Sequence, residues 1–378
     1  MNIPIRPASI RQWIRNHRFS VCLLKGKERN SHCALTLVVV GTSIDIEYLV
    51  SLAFDGACER TDLPRVWSWG VCRLVTRMRK SADLFFMVNV DTKRAEGLLA
   101  CNESFFFLPR FVSGEVDFST AHRLMLKKNV KSDLNRIRKN RLECEVTKDP
   151  ALFDEFYRTM YVPHITKTFG AAAALTNAGK FREYSERDCE LLFVTQDGER
   201  IAGNAIVYEK GRARGWAIGV KNGDDRYKKQ GALAALYYFE ICHLEKRGYS
   251  RVHYGGSRPF LRDGAIQYKK KWGMRFTGRI REGFLLKLLR DSPGARAFLR
   301  HNPFVHAIGA DLHYQAAIFA DANDTDASAF IKAIHKTCYF PGMEGMVVYD
   351  FDGIMDRSIV PADLASMVSL ATTEHLAG

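Results

Sequence analysis

The sequence predicts a mixed α/β protein: a sheet of mixed strand direction flanked by helices. Two observations carry that prediction. The stretch from Glu190 to Phe276 reads as three strands, a basic loop, a helix, a strand and a second helix. On either side of it, short β-prone runs and amphipathic helical runs recur.

The first elements lie in the N-terminal third. Ala34–Val40 (ALTLVVV) reads as a buried strand. Cys33–Phe54 is the most apolar window, but Asp45 and Glu47 interrupt it, so it reads as strand and helix rather than a membrane span. Trp67–Arg79 has the spacing of an amphipathic helix with Arg73, Arg77, Arg79 and Lys80 outward. Leu84–Val90 and Phe105–Pro109 read as further strands. Met1–Arg18 is charged and lacks the apolar centre of a secretion signal.

Ala121–Arg141 is strongly basic and helical in pattern, with Leu124, Val130, Leu134 and Ile137 on one face. It suits either a solvated helix bridging two parts of the chain or a landing strip for an acidic carrier protein, tRNA or lipid headgroup. Leu142–Thr147 reads as a strand. Pro150–Lys167 reads as a helix ended by Pro163, and 170–179 as a small-residue lid or acceptor loop.

Leu191–Gln196, Ile201–Tyr208 and Ala213–Val220 read as consecutive strands, with Asp197-Gly198 as a hairpin turn. The polar, basic loop 221–230 opens a helix over Gly231–Arg247, with Gly248 at its left-handed cap. Such a helix start offers unpaired N–H groups and a positive dipole end, which suits a pyrophosphate. Ser250–Tyr254 is a short strand, and Asp263–Trp272 a helix stopped by Gly273. Past Arg290, Asp311–Ala320, Asp326–Lys336 and Gly345–Phe351 suggest strand, helix, strand. Val347–Arg357 contains Asp350-x-Asp352-Gly, which looks like a phosphatase nucleophile motif, but too few residues follow for the domain such an enzyme needs.

Composition narrows the function classes. The 378 residues suit two or three domains, and 47% hydrophobic and 26% charged residues are ordinary for a globular protein. A net charge of +14 favours a phosphate-bearing cofactor, carrier protein, nucleic acid or anionic membrane surface as partner, although many proteins are simply basic. Nine scattered cysteines without C-x-x-C pairs, and eleven dispersed histidines, suggest reduced thiols in a cytoplasm and no metal site.

The 190–276 segment resembles the GNAT N-acyltransferase core, and more narrowly the FemABX-like branch with its two GNAT-like halves in tandem. The closest local likeness is Gln267–Phe276, QYKKKWGMRF, which is similar to the branch's aromatic-Lys-basic-basic-aromatic-Gly pattern at Tyr268, Lys269, Trp272 and Gly273. The loop Arg226-Tyr-Lys-Lys-Gln230-Gly231-Ala232 keeps part of the GNAT phosphate-loop pattern. The resemblance implies a degenerate GNAT-like half over 1–120, an acyltransferase half over 121–290 with the linking helix 121–141, and a C-terminal α/β extension over 291–378. It implies transfer of an acyl or aminoacyl group to an amine, in cell-envelope or polysaccharide biosynthesis for example. The alternative is a non-catalytic member of the fold that binds an anionic partner. No cofactor is held tightly; acyl-CoA, an acyl-carrier protein or aminoacyl-tRNA is the co-substrate. DNA is not a partner, and peripheral membrane contact is compatible with the charge.

Aminolysis of a thioester or ester needs a neutral amine, donors for an oxyanion and a protonated leaving group. Lys269 is the candidate for donor phosphate or developing negative charge, or one more exposed lysine. Tyr268 is a candidate acid for the leaving thiolate, or a core aromatic. His164 is a candidate base, or a structural hydrogen-bonder. Gly219, at the end of the third strand, would let the donor backbone approach. Lys228, Lys229, Gln230, Gly231 and Ala232 would bind the donor's phosphates. Tyr161, Ser257, Arg258 and Asp263 are acceptor-side candidates, with Asp263 also a natural N-cap.

Overall fold

In the computed structural model, residues 18–42, 44–101, 104–278, 280–309, 312–324, 326–374 and 376 are described. The N-terminal stretch read as too charged for a secretion signal lies outside them but for Arg18, as does Asp311. Among the described residues no helix is long and apolar enough to cross a membrane.

Three sheets form. The strands are β1 (Arg18–Lys27), β2 (Ala34–Val40), β3 (Glu59–Trp67), β4 (Leu84–Asp91), β5 (Phe106–Pro109), β6 (Val112–Asp117), β7 (Glu143–Thr147), β8 (Cys189–Gln196), β9 (Glu199–Glu209), β10 (Arg212–Val220), β11 (Arg251–Ser257), β12 (Arg275–Thr277), β13 (Glu282–Leu288), β14 (Phe304–Ile308), β15 (His313–Ala320), β16 (Gly345–Asp350) and β17 (Val368–Thr372). The first sheet has the order β3-β1-β2-β4-β13-β5, the second β12-β6-β11-β10-β9-β8-β7, and the third β14-β15-β16-β17.

The first two sheets share a plan. In each, an antiparallel pair (β1-β2, β9-β10) meets a parallel neighbour (β4, β11), and two antiparallel strands complete that side. The plan repeats although the sequence shows no repeat. Each sheet also borrows a strand: β6 precedes residue 121 but joins the second sheet, and β13 precedes residue 291 but joins the first. The boundary at 120/121 is therefore crossed by one strand in each direction, while the strands past 291 keep to the third sheet.

Several local expectations change. β1 and β3 were not read from the sequence; β3 (ERTDLPRVW) is polar and largely exposed, so it lacks the alternation that marks a half-buried strand. Trp67 ends β3, and the amphipathic helix runs only over Val71–Met78. The basic run breaks into helices Phe118–Met125 and Lys128–Lys139. Pro163 does not end the helix that begins at Pro150; a π-helical turn over Tyr157–Tyr161 widens the ladder and Pro163 falls in the first turn of the next helical segment, Val162–Phe169. Loop 221–230 is partly helical: Asp224 accepts from the Arg226 N–H and caps the short helix Asp225–Gln230, which Gly231 ends in a left-handed conformation. The helix Ala232–Lys246 follows, as the spacing predicts.

The C-terminal sheet packs on the first. The Phe106 ring meets Phe304, His306 and Tyr349 edge-on at 5.2–5.3 Å. Asp350 and Asp352 serve turns and ion pairs: Asp350 accepts from the Asp352 and Met355 N–H groups, and Asp352 pairs with Arg296 at 2.7 Å.

A buried charge cluster ties the two larger sheets together. Asp45, in the first turn of the helix Ile44–Ala53, is fully buried. It meets Arg258, just past β11, at 2.6 Å and Arg110, just past β5, at 2.9 Å. The Arg258 guanidinium stacks on Tyr48 at 4.3 Å. Removing Asp45 leaves the buried Arg258 guanidinium without its carboxylate, while Arg110 keeps Glu282 at 2.8 Å; breaking a buried pair in this way costs about 3–5 kcal/mol. Asp45→Leu is expected to destabilise the protein by about that much, read as a lower urea midpoint at unchanged slope.

Candidate functional site

β10 and β11 run parallel but pair only at Arg214↔His253 and Gly215↔Tyr254. Just beyond, β10 bulges at Trp216 and β11 is irregular between Tyr254 and Ser257. The strands part there. A bulge bends its strand, and the freed backbone groups need other partners. The Gly255 carbonyl accepts from Lys269 Nζ at 2.5 Å, and the same ammonium donates to Ser257 Oγ at 3.0 Å. Lys269 sits on the helix Gly264–Lys271, whose N-terminus Asp263 caps by accepting from the Ala265 and Ile266 N–H groups. Burial pushes the Lys269 amine down to about 8.

The parting opens a cleft of about 990 Å³. It reaches both faces of the second sheet. Tyr161, His164 and Trp216 line it on one face, Leu236, Tyr237 and Tyr268 on the other, and Tyr48 and Ser51 of the first half close it. The expected lid begins as a short 3-10 turn over Gly170–Ala172, and buried Ala172 packs in the first half's apolar cluster.

At the inner end lies Glu240, on the helix Ala232–Lys246 and only 1% exposed. A Cβ on Gly215 would stand 2.6 Å from Glu240 Oε1, so the carboxylate rests on bare backbone where the strands begin to part. Burial pushes Glu240 up to about 8, against side-chain hydrogen bonds from Asn204 and Tyr254 that lower it. The sequence reading passed over Glu240. Its signal was a lone carboxylate among the apolar positions Leu236, Tyr237, Ile241 and Leu244.

The cleft brings together six of the sequence candidates: Tyr161, His164, Lys228, Asp263, Tyr268 and Lys269. Tyr161 is buried, and its hydroxyl accepts from the Thr176 N–H at 3.2 Å. Burial and the nearby Lys228 push His164 down to about 4, so it is a neutral imidazole and a weak base. Burial, and next the charge of Asp133, push the Tyr268 phenol well up, which makes it a reluctant acid. Lys228 pairs with Asp225 at 3.0 Å.

The others lie elsewhere. Ser257 is taken up by Lys269, and Arg258 by Asp45. A Cβ on Gly219 would stand 2.5 Å from the Met160 carbonyl carbon, so this glycine admits the chain's own backbone. Lys229 and Gln230 line a separate hollow of about 510 Å³ with Arg136, Lys139, Asn140 and Arg226. Gly231 has φ +103°, and a Cβ there would meet Arg136 at 3.3 Å; Ala232 is fully buried. The helix Lys128–Lys139 thus covers the start of the helix Ala232–Lys246. Its Val130, Asp133 and Ile137 are buried and its lysines stay exposed.

Glu240 also makes a stability prediction. Its folded pKa lies above the unfolded value, so the folded state holds a proton that the unfolded state releases. Stability is therefore lost as pH rises from about 4.5 to about 8. Glu240→Gln has no such loss. Relative to wild type it should gain up to about 1.4 kcal/mol per pH unit across that window, measured by urea unfolding at pH 5, 6, 7 and 8.

Comparison with known proteins follows the same segment. Residues 126–270 match the family model described as an acetyltransferase (GNAT) domain, from the basic helix through the helix that carries Lys269. Among solved structures the chain is similar to FemX at 13% identity, covering 71% of this chain and 84% of that one, with a TM-score of 0.38. It is similar to the C-terminal domain of a lysylphosphatidylglycerol synthetase from Agrobacterium fabrum at 11% identity, covering 73% and 83%, with a TM-score of 0.34. An aminoglycoside acetyltransferase from an uncultured soil metagenomic sample is similar at 11% identity, covering 36% and 89%, with a TM-score of 0.27. No curated protein matches the chain.

Proposed function

On the premise that residues 126–270 are a GNAT domain and the chain is an acyltransferase of that superfamily, we propose that it moves an acyl or aminoacyl group from an activated carrier to an amine. The observation that supports this most is the cleft through the splayed strands, which lets a carrier arm and an acceptor approach one point from two faces of the sheet. The edge of β10 that β11 vacates offers backbone N–H groups for an oxyanion. Lys269 stands at the same opening, held by Gly255 and Ser257, and its ammonium stabilises the negative charge that develops on the carbonyl oxygen. Tyr161, His164 and Asp263 line the path to that point and orient the acceptor.

The carrier bears phosphate. The hollow ringed by Arg136, Lys139, Arg226 and Lys229 lies at the start of the helix Ala232–Lys246, where its dipole adds to their charge. Acyl-CoA, an acyl-carrier protein and aminoacyl-tRNA all meet that description. The exposed lysines and arginines at 127, 128, 131, 138, 139 and 141 extend the basic surface beyond what a small carrier needs.

The test offers acetyl-CoA, a long-chain acyl-CoA, an acylated carrier protein and aminoacyl-tRNA to the protein with glucosamine, spermidine and a short peptide, and weighs the products. Amine-dependent consumption of one carrier is expected, with kcat/KM about 10²-fold lower in Lys269→Met. No product from any pair would refute transfer and leave a binding protein for an anionic partner. A triple variant Lys128→Glu, Lys131→Glu, Arg138→Glu assigns the carrier's size. It should leave transfer from a coenzyme A thioester within about twofold, and reduce transfer from carrier protein or tRNA by at least about tenfold.

A further inference from the structure

The inner end of the cleft holds two buried side-chain oxygens without a hydrogen-bond partner, beside a Tyr254 hydroxyl that also has none, although the Glu240 carboxyl as a whole feels the Asn204 and Tyr254 side chains. Glu240 Oε1 and Asn204 Oδ1 are both without a hydrogen-bond partner, and each residue is 1% exposed. Both line the cleft, on the helix Ala232–Lys246 and on β9 respectively. No charged neighbour contributes to the behaviour of the Glu240 carboxyl. Two lysines that line the cleft are engaged elsewhere: Lys269 with Gly255 and Ser257, and Lys228 with Asp225.

We propose that Glu240, Asn204 and Tyr254 form a binding site for a primary ammonium group of the substrate. This rests on the reading of the chain as an N-acyltransferase and names the group its cleft recognises. An ammonium carries three donors and no acceptor, so it satisfies both orphaned oxygens and neutralises the carboxylate at once. A water or hydroxyl brings no charge to stabilise the carboxylate, so beside it the buried carboxyl would keep its proton. The walls fit a cation as well. The Tyr237 ring lies 4.9 Å from that of Tyr254 and 5.3 Å from that of Tyr268, and all three line the cleft. Gly215 contributes by omission: a side chain there would strike Glu240 Oε1. The ammonium comes from one of two sources, the acceptor amine or an amino group on the acyl group being transferred.

Calorimetric titration of the full chain at pH 7.5 separates them without requiring turnover. One arm compares propylamine with propanol in the presence of coenzyme A. The other compares β-alanyl-CoA with propionyl-CoA, which differ by the amino group. At least about tenfold tighter binding of the amino compound is expected in one arm, lost in Glu240→Gln and reduced at least about threefold in Asn204→Leu. A preference in the first arm assigns the site to the acceptor, and in the second to the transferred group. No preference in either arm, or one that survives both substitutions, would overturn the site. Because binding is read directly, the site can fail while transfer is observed, and transfer can fail while the ammonium preference stands. Asn204→Leu keeps the test decisive should Glu240→Gln not fold.

Discussion

The site depends on β10 and β11 ceasing to pair after two residues. Parallel strands that stayed paired would bury their edges in each other and leave no room between them. Here the Trp216 bulge turns β10 away, and the Gly255 carbonyl that a neighbouring strand would have used is taken by Lys269. Lys269 therefore has a structural duty as well as a chemical opportunity. It satisfies the backbone that the opening exposes, and it sets a positive charge at the opening's edge. The glycines nearby follow from the same geometry: Gly215 lies on the Glu240 carboxylate, and a Cβ on Gly256 would stand 2.6 Å from the Phe111 side chain.

The first half repeats the plan without repeating the opening. β2 and β4 pair in parallel over four residues, Leu37↔Leu84 through Val40↔Met87. The helix after β2 starts with Asp45 and Glu47, where a phosphate-binding helix would avoid acids. Asp45 instead receives Arg258 and Arg110. The place where one half presents a helix start to a basic hollow is, in the other, an internal ion cluster behind the Tyr48 that lines the cleft. The strands exchanged between the sheets, β6 and β13, bind the halves further, because neither sheet is complete without a segment from beyond its own boundary.

Much of the second half was legible because its signals are local. The hairpin turn shows positive φ at Asp197 and Gly198, and Gly248 and Gly273 end their helices in left-handed conformations, as the sequence suggested. What was missed is non-local or masked by polarity. Strand exchange leaves no mark within a window, and the exchanged strands β6 and β13 were not read from the sequence. The run DRYKKQ reads as loop from its charge, yet the Asp224 cap makes it helical. Ser257 and Arg258 look like free polar residues in sequence because their partners, Lys269 and Asp45, come from distant segments. Glu240 alone carried a readable anomaly, an acid on a stripe that should be apolar.

Glu240 and Lys269 are shifted by the same cause in opposite senses. Burial disfavours both charged forms, raising the acid to about 8 and lowering the amine to about 8. At neutral pH each therefore holds its proton, the acid as a neutral carboxyl and the amine as a cation. The empty cleft is biased positive, which suits the arrival of a phosphate-bearing carrier. A cation entering beside Glu240 favours the carboxylate and releases the carboxyl's proton. Anionic carrier and cationic amine thus meet a cleft in which Lys269 and Glu240 answer each in turn.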